Sequence, residues 1–444
     1  MNIQEKRYIR EPARKIPVIA AADVVVCGGG PSGMMAAIAA ARHGARVILL
    51  EQYGFLGGMA TIALVGPISK FNVNGERIVG GIPEEFIRNV HRHGGAIINL
   101  PSGNVPYDPE IYKYVAMKMV QAASVDILLH TTVAGCMSSE NHPHQITHLL
   151  IENKSGRQAI QTNYVIDCTG TGDVVARTSL PWIMRTNAQG ELQPMSLYFR
   201  LGGVDTSSLD LLMAEDQVKY RNQELNALLQ EEVAAGRLGN FGGPWVVHGS
   251  TLRKGEVSVN ATRFKGNAAN GHELSAAALQ LREDVMKILG VFKEKSPAFK
   301  NAYLIDTATQ VGIRETRAIM GLYTLEAKDI LTPQRFPDTV AKGGHPVDIH
   351  RAEDARQDVT FLQEAYDIPY RALVPKGAYN LLVARGCISA TREAYASVRV
   401  QAQCMALGQA TGTAAALCNQ ENISVAALDG ALLRETLKAA GAMV

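Results

Sequence analysis

Residues 23–51 read DVVVCGGGPSGMMAAIAAARHGARVILLE, and no other stretch restricts the fold as much. Val24 to Cys27 is a short apolar run rich in valine, of the kind buried on both faces of a parallel sheet. The Gly-rich turn opens a small-residue helix over about Pro31 to His43. Gly44 stands where a helix C-cap belongs, and Arg46 to Leu50 is a second strand closing on Glu51. This strand–helix–strand order is a right-handed βαβ unit. Gly28-x-Gly30-x-x-Gly33 joins its first strand to its helix. In such a turn the first glycine permits the bend, the second lets backbone approach a pyrophosphate, and the third lets the helix pack closely on the strand. The helix N-terminus offers unpaired N–H groups to phosphate, and Glu51 is placed to accept hydrogen bonds from an adenosine ribose. A dinucleotide is expected here.

The other properties of the chain narrow its class. At 444 residues it is long enough for two or three domains, and 47% hydrophobic against 19% charged residues gives material for a large core. Lys plus Arg is 44 and Asp plus Glu is 42, which supplies no general field for nucleic acid or an anionic membrane. The six cysteines contain no C-x-x-C pair, which argues against a disulfide framework, a zinc site or a dithiol redox centre and favours a cytoplasmic setting. Lys6, Arg7, Arg10, Arg14 and Lys15 precede an apolar run ending in Ala20-Ala21-Ala22, which mimics a signal peptide. Asp23 interrupts that run, and a strand reading is preferred. The apolar run Met34 to Ala41 falls far short of the roughly 20 residues of a membrane span.

Further along, helical spacing covers Asp108 to Ala122, and strands are expected at 126–129, 146–151 and 164–167. The stretch from about 181 to 369 mixes strands at Leu197 to Leu201 and Val257 to Arg263 with charged helices at Asp216 to Ala235 and His272 to Lys293. The last strand, Asn380 to Ala384, precedes a small-residue helix at about Val398 to Cys418. The expected fold is α/β: a Rossmann-like nucleotide domain with a parallel sheet, formed by 1–180 and 370–444, plus an inserted α+β substrate domain at 181–369.

Two later segments run from an apolar strand into a turn of small residues: Val165-Ile166-Asp167-Cys168-Thr169-Gly170-Thr171-Gly172-Asp173 and NLLVARGCISA at 380–390. With them, the chain resembles the FAD-dependent oxidoreductases of the glutathione-reductase-type fold. The nearer likeness is to the group called FAD-dependent oxidoreductase, through Phe55-Leu56-Gly57-Gly58-Met59-Ala60-Thr61, Gly312-Ile313-Arg314-Glu315-Thr316-Arg317, Ile368-Pro369-Tyr370-Arg371, Asp348-Ile349-His350 and the run from Cys404 to Gly412. The resemblance covers about residues 22–420. It implies FAD as the cofactor, held by Gly28, Gly30, Pro31, Ser32, Gly33, Glu51 and Gln52. It also implies contacts from Gly57, Gly58, Met59, Ala60 and Thr61 along the ribityl chain and ring, and from Val133 near the adenine. Thr169, Gly170, Asp173, Gly386, Ser389, Arg399 and Val400 complete the implied set, the last two opening a helix aimed at the N1/O2 side of the ring. A helix N-terminus suits the negative charge of a reduced flavin there. One departure stands out: the family commonly reads A-G-R-C-I-S where this chain reads Ala384-Arg385-Gly386-Cys387-Ile388-Ser389.

For catalysis, His345-Pro346-Val347-Asp348-Ile349-His350 places imidazole and carboxylate within reach of one another, with a surface loop as the plain alternative. His350 with Asp348 is expected to move a proton and Arg314 to hold substrate charge. Arg314, Glu315 and Arg317 equally suit an ion-pair network. Cys168 and Cys387 read as small buried thiols, and His142-Pro143-His144 as a hairpin loop rather than a metal site. No second G-x-G-x-x-G lies between a strand and a helix, so no separate NAD(P)H domain is expected. The expected activity is hydride transfer between a small organic substrate and flavin N5, with an unidentified electron acceptor or donor. The alternatives are a fumarate-reductase-like ene-reductase and a non-catalytic flavin-binding electron carrier; a homo-oligomer is compatible with all three.

Overall fold

A computed structural model of the chain describes residues 9–208, 222–248, 252–351 and 354–444. Lys6, Arg7 and the first part of the helix expected from Asp216 lie outside the described residues.

The central sheet is built on Val18–Cys27, paired in parallel with Val47–Leu50 on one side and with Gly156–Asp167 on the other. Asp126–Leu128 extends the Val47–Leu50 edge in parallel. The far edge of Gly156–Asp167 is shared. Its start pairs antiparallel with Ile146–Asn153, which also pairs with Thr132–Ser138, and its end pairs in parallel with Leu381–Val383. Val24, Val25, Val26 and Cys27 are fully buried, as a central parallel strand requires. Ala20, Ala21 and Ala22 belong to that same strand, so the apolar run before Asp23 is part of the sheet.

Helix Pro31–Arg42 follows the first strand, and Gln401–Glu421 lies directly against it. A Cβ on Gly408 would stand 2.1 Å from the Ser32 carbonyl oxygen, and one on Gly412 would stand 2.1 Å from that of Ala36. The two helices therefore touch backbone to backbone. The late helix expected at about Val398 to Cys418 is present as Gln401–Glu421, and a short helix not anticipated, Arg392–Val398 capped by Thr391, precedes it. A helix at Ile82–Arg92 was not anticipated.

The second layer is a four-stranded antiparallel sheet in the order Phe241–His248, Val257–Thr262, Phe199–Gly202, Tyr303–Thr307. The apolar face of helix Gly271–Lys295 (Ala277, Leu281, Val285, Ile288 and Phe292) lies in the same core. That core is drawn from 195–311 together with Leu64, whereas Ile319, Val340, Val347 and Ile368 belong to the core around the parallel sheet. In the antiparallel ribbon Val347–His350 with Gln357–Thr360, Val347 belongs to the first core while His350 is hydrogen-bonded by Arg263, which directly follows the second-layer strand Val257–Thr262.

Two glycine substitutions in helices test the helix contact. Gly290 has no heavy atom within 4 Å of a built Cβ, so Gly290→Ala should raise stability by about 0.5–1 kcal/mol. Gly412→Ala should lower it by about 1–3 kcal/mol, because the added methyl meets carbonyl oxygen on the facing helix. Denaturant unfolding checks both, and equal effects would show that the helix contact is looser than described.

Candidate functional site: a cavity from the glycine turn to an arginine cluster

A cavity of about 910 Å³ runs from the Gly28–Gly30 turn to the face of the second layer, near the top of the roughly 300–1,000 Å³ range of small-molecule sites. At its outer end stand Glu51, Gln52, Thr131 and Val133. Glu51 is 5% exposed; its carboxylate accepts the Gly29 N–H at 2.7 Å and the Tyr53 N–H at 2.9 Å, which ties the glycine turn to the end of the second strand. Burial raises its pKa, opposed by those N–H groups.

The three glycines fit a dinucleotide, each for its own reason. Gly28 has φ +102°, the left-handed region, and a Cβ there would lie 2.5 Å from the Cys168 carbonyl oxygen. A Cβ on Gly33 would be 1.8 Å from the Gly28 oxygen, so helix and turn are in direct contact. At Gly30 nothing comes nearer than 3.6 Å, and the residue lines the cavity: the cradle is open on the side a pyrophosphate would take. Gly30 caps the helix with no side chain, leaving the first N–H groups to a ligand.

Gly58, Met59, Thr169, Gly170 and Asp173 also line the cavity. Gly57, Ala60 and Thr61 do not, nor do Pro31, Ser32 and Gly33. They shape the walls from behind, for example through the Thr61 hydroxyl, which donates to the Leu56 carbonyl at 2.9 Å. Buried Asp167 fixes the second glycine turn by accepting from the Thr169, Val174 and Val175 N–H groups, each at 3.0 Å. Arg399, Val400 and Gln401 bring the uncapped start of the long helix to the cavity, and Gln401 carries a buried Oε1 without a partner among the described residues.

Gly386 and Ser389 lie outside the lining. Ser389 Oγ accepts the Gly321 N–H at 3.1 Å and pairs with the Thr324 hydroxyl at 3.0 Å. A Cβ on Gly386 would lie 1.9 Å from the Gly170 carbonyl oxygen, so only glycine fits there. Arg385, at φ +69°, turns its side chain along Gly170 into the cavity wall. Cys168 and Cys387 are buried, and burial pushes both thiols up, away from the reactive thiolate. Residues 142–145 form the turn of a hairpin, and no cluster of metal-ligating side chains occurs among the described residues.

At the inner end the expected residues meet partners that sequence reasoning missed. Buried His350 lies between Arg263 and Asp348: Arg263 Nη2 donates to its Nδ1 at 2.9 Å, and its Nε2–H donates to Asp348 Oδ2 at 3.2 Å. Because a guanidinium only donates, Nδ1 is the acceptor and the imidazole is neutral. Burial, then the Arg314 and Arg263 charges, push its pKa well below the ordinary histidine value, so the ring does not titrate near neutrality as its sequence context alone suggests. Burial also raises the pKa of Asp348, but the hydrogen bond from His350 and the Arg399 charge outweigh it and hold the carboxyl well below the usual range. The G-I-R-E-T-R segment divides. Arg314 lines the cavity, Glu315 pairs with Arg392 at 3.1 Å, and Arg317 pairs with Asp173 at 3.0 Å. Tyr198 accepts from Asn260 Nδ2 at 2.9 Å, and Trp245 stands edge-on to His350, 5.6 Å between ring centres.

Together these features define a nucleotide cradle continued into a polar pocket. The sequence model of the family described as FAD dependent oxidoreductase matches residues 23–437, and the chain belongs to that family. Its cofactor is FAD. Among curated proteins, the chain is similar to a digeranylgeranylglycerophospholipid reductase of Methanocaldococcus jannaschii, 30% identical over 167 residues, which is 35% of this chain and 39% of that protein. It is also similar to an NADH oxidase of Thermoanaerobacter brockii, 57% identical over 44 residues, 10% of this chain and 7% of that one. The chain thus matches well under half the length of these relatives. Among solved structures, a geranylgeranyl bacteriochlorophyll reductase-like protein from Thermoplasma acidophilum aligns over 95% of this chain and 91% of its own, with TM-score 0.44 and 13% identity.

The histidines make stability depend on pH. His345 is buried, its Nδ1–H donates to the Pro346 carbonyl at 2.8 Å, and burial pushes its pKa down to about 4. An unfolded histidine protonates near 6.5, so the stability held by the neutral buried ring is complete above about pH 6.5 and is lost as pH falls toward 4. His350 acts with the same sign. The unfolding free energy, read from denaturant titrations at each pH, should fall across that window by up to about 1.4 kcal/mol per pH unit for each of the two histidines. His345→Gln should flatten the dependence, and an unchanged slope would show that His345 is charged in the folded protein.

Proposed function

We propose that the chain oxidises or reduces a small organic substrate, with FAD supplying hydride transfer at its N5. The observation that carries this reading is the continuity of one cavity from the glycine cradle to a buried cluster of polar side chains. An electron carrier has no need of such an inner chamber. The name of the Methanocaldococcus jannaschii relative, a reductase, is in keeping with this reading.

In this reading Gly28, Gly30 and the first turn of helix Pro31–Arg42 hold the pyrophosphate, and Glu51 holds the ribose while bracing the turn through Gly29. Gly58 and Met59 flank the ring, Val133 the adenine, and Arg399 with Val400 opens the helix that faces the ring's polar edge. Around the substrate, Asp348 and His350 form a fixed pair. The Arg263 N–H on Nδ1 leaves the imidazole no free lone pair, so this pair orients Asp348 and keeps the inner wall rigid.

The proton then falls to another group. Tyr198 lines the cavity, its oxygen accepts from Asn260, and no acceptor for its own hydrogen occurs among the described residues. Burial raises its pKa while Arg314 and Arg263 pull it back, so it is protonated at neutral pH yet its anion is electrostatically supported. A hydroxyl in that setting gives a proton to substrate in reduction and takes one in oxidation.

The purified protein should be yellow, with FAD bound noncovalently. Glu51→Ala should weaken FAD binding by about 1–3 kcal/mol, measured by fluorescence titration of the apoprotein. Wild-type affinity in that variant would remove Glu51 from the ribose site.

Photoreduced, oxygen-free holoprotein offered fumarate, pyruvate and a quinone should return its electrons to one of them. Reoxidation by a protein partner alone would make it a carrier. With the accepted oxidant, Tyr198→Phe should retain its FAD and slow transfer about 10²–10⁴-fold. An unchanged rate would place the proton elsewhere.

A further inference from the structure

We infer that the inner end of the cavity is a carboxylate site, so that the substrate of the reaction proposed above is an organic acid. The inference rests on that reading for its chemistry, but the binding site stands on its own charges.

Three guanidinium groups converge there on one carboxylate. Arg314 and Arg399 line the cavity with Asp348, and Arg263 stands directly behind, hydrogen-bonded to His350. Arg399 Nη2 donates to the Asp348 carbonyl at 2.9 Å and reaches its Oδ2 at 3.5 Å. Arg263 is spent on neutral partners: Ser196 Oγ, Asn260 Oδ1 and the Thr262 carbonyl. Arg314 has no carboxylate within ion-pair distance among the described residues; its Nη1 donates to the Pro194 carbonyl and to Ser196 Oγ. The adjacent Glu315 makes no ion pair with it, since its oxygens accept from Arg392, from the Gln193 N–H and from Gln193 Nε2. His350 and His345 are neutral, so neither adds charge nor offsets it. The uncapped start of helix Gln401–Glu421 adds its dipole on the same side.

Two positive charges are thus left without a counter-charge inside a largely buried chamber. Keeping such charges buried costs free energy, and an anionic ligand offsets that cost. The geometry selects the anion. With Nη1 engaged, the Nε and Nη2 edge of Arg314 has no partner among the described residues, and that edge is the fork that grips a planar carboxylate with two parallel hydrogen bonds. Beside it stand Ile313, Leu274, Trp245 and the ring of Tyr198, which give the anion an apolar body to carry. The pyrophosphate of the cofactor does not supply the missing charge, because its cradle at Gly30 is at the other end of the cavity.

The test titrates the holoprotein with acetate, succinate and benzoate, each against its neutral amide, and with sulfate and phosphate. Flavin absorbance and melting temperature are the two readouts. At least one carboxylate should saturate and bind about tenfold or more tighter than its amide, the usual worth of a charge-assisted pair. Arg314→Met should abolish that preference while keeping FAD, and Arg314→Lys should restore part of it. Amides binding as well as acids, no carboxylate binding at all, or sulfate and phosphate binding equally well would each overturn the proposal. A colourless preparation would count against the flavin instead, and the melting temperature would then read the same contrast between acid and amide.

Discussion

The site depends on the contact between two helix backbones. Helix Gln401–Glu421 approaches Pro31–Arg42 closely enough that Gly408 and Gly412 meet the carbonyl oxygens of Ser32 and Ala36. With no side chains between them, the helices are locked in position and both present uncapped N-termini to one cavity. One terminus faces the phosphate cradle and the other the inner chamber. Because the first helix is anchored to the sheet through Gly33 and the second carries Arg399 just before its start, a shift at the crossing would misplace both ends of the cavity together.

The inner chamber follows a single electrostatic rule. Arginine charges buried together raise the free energy of any further positive charge, so the nearby histidines stay neutral and Asp348 stays ionised. In the reading proposed above, the pair that looks like an acid–base couple in sequence serves as scaffolding. Tyr198, whose ionised form the same field favours, is in that reading the group that exchanges a proton. Burial and charge, more than residue type, assign the parts.

The nucleotide half was legible because its determinants are local. Strand, turn, helix and acidic residue fall within residues 24–51, and each glycine spacing has a backbone reason that holds in any context. The chamber was only half legible. Asp348, His350 and Arg314 stood out as chemical types, but Arg263, Trp245 and Tyr198 come from the second layer; Tyr198 and Arg263 sit in segments that read as ordinary strands, and no strand was expected around Trp245. The neutral state of His350 was beyond reach for the same reason, since it is imposed by Arg263, 87 positions away in the chain. The Ile82–Arg92 helix was missed because Gly80, Gly81 and Pro83 read as a loop, although Pro83 occupies the first turn where a proline is tolerated. Ser389 was grouped with the cofactor by its motif, but its hydroxyl is taken up by Gly321 and Thr324.

The Arg385–Gly386 pair restricts which residues this turn can carry. Arg385 takes a left-handed backbone, and Gly386 presses on the Gly170 oxygen so closely that no side chain fits. The two positions are therefore not independent. On this backbone an arginine at 386 is excluded, so of these two positions only 385 can carry the cation that lines this wall of the cavity. The identity of a cavity-lining charge is thereby tied to a packing constraint on its neighbour.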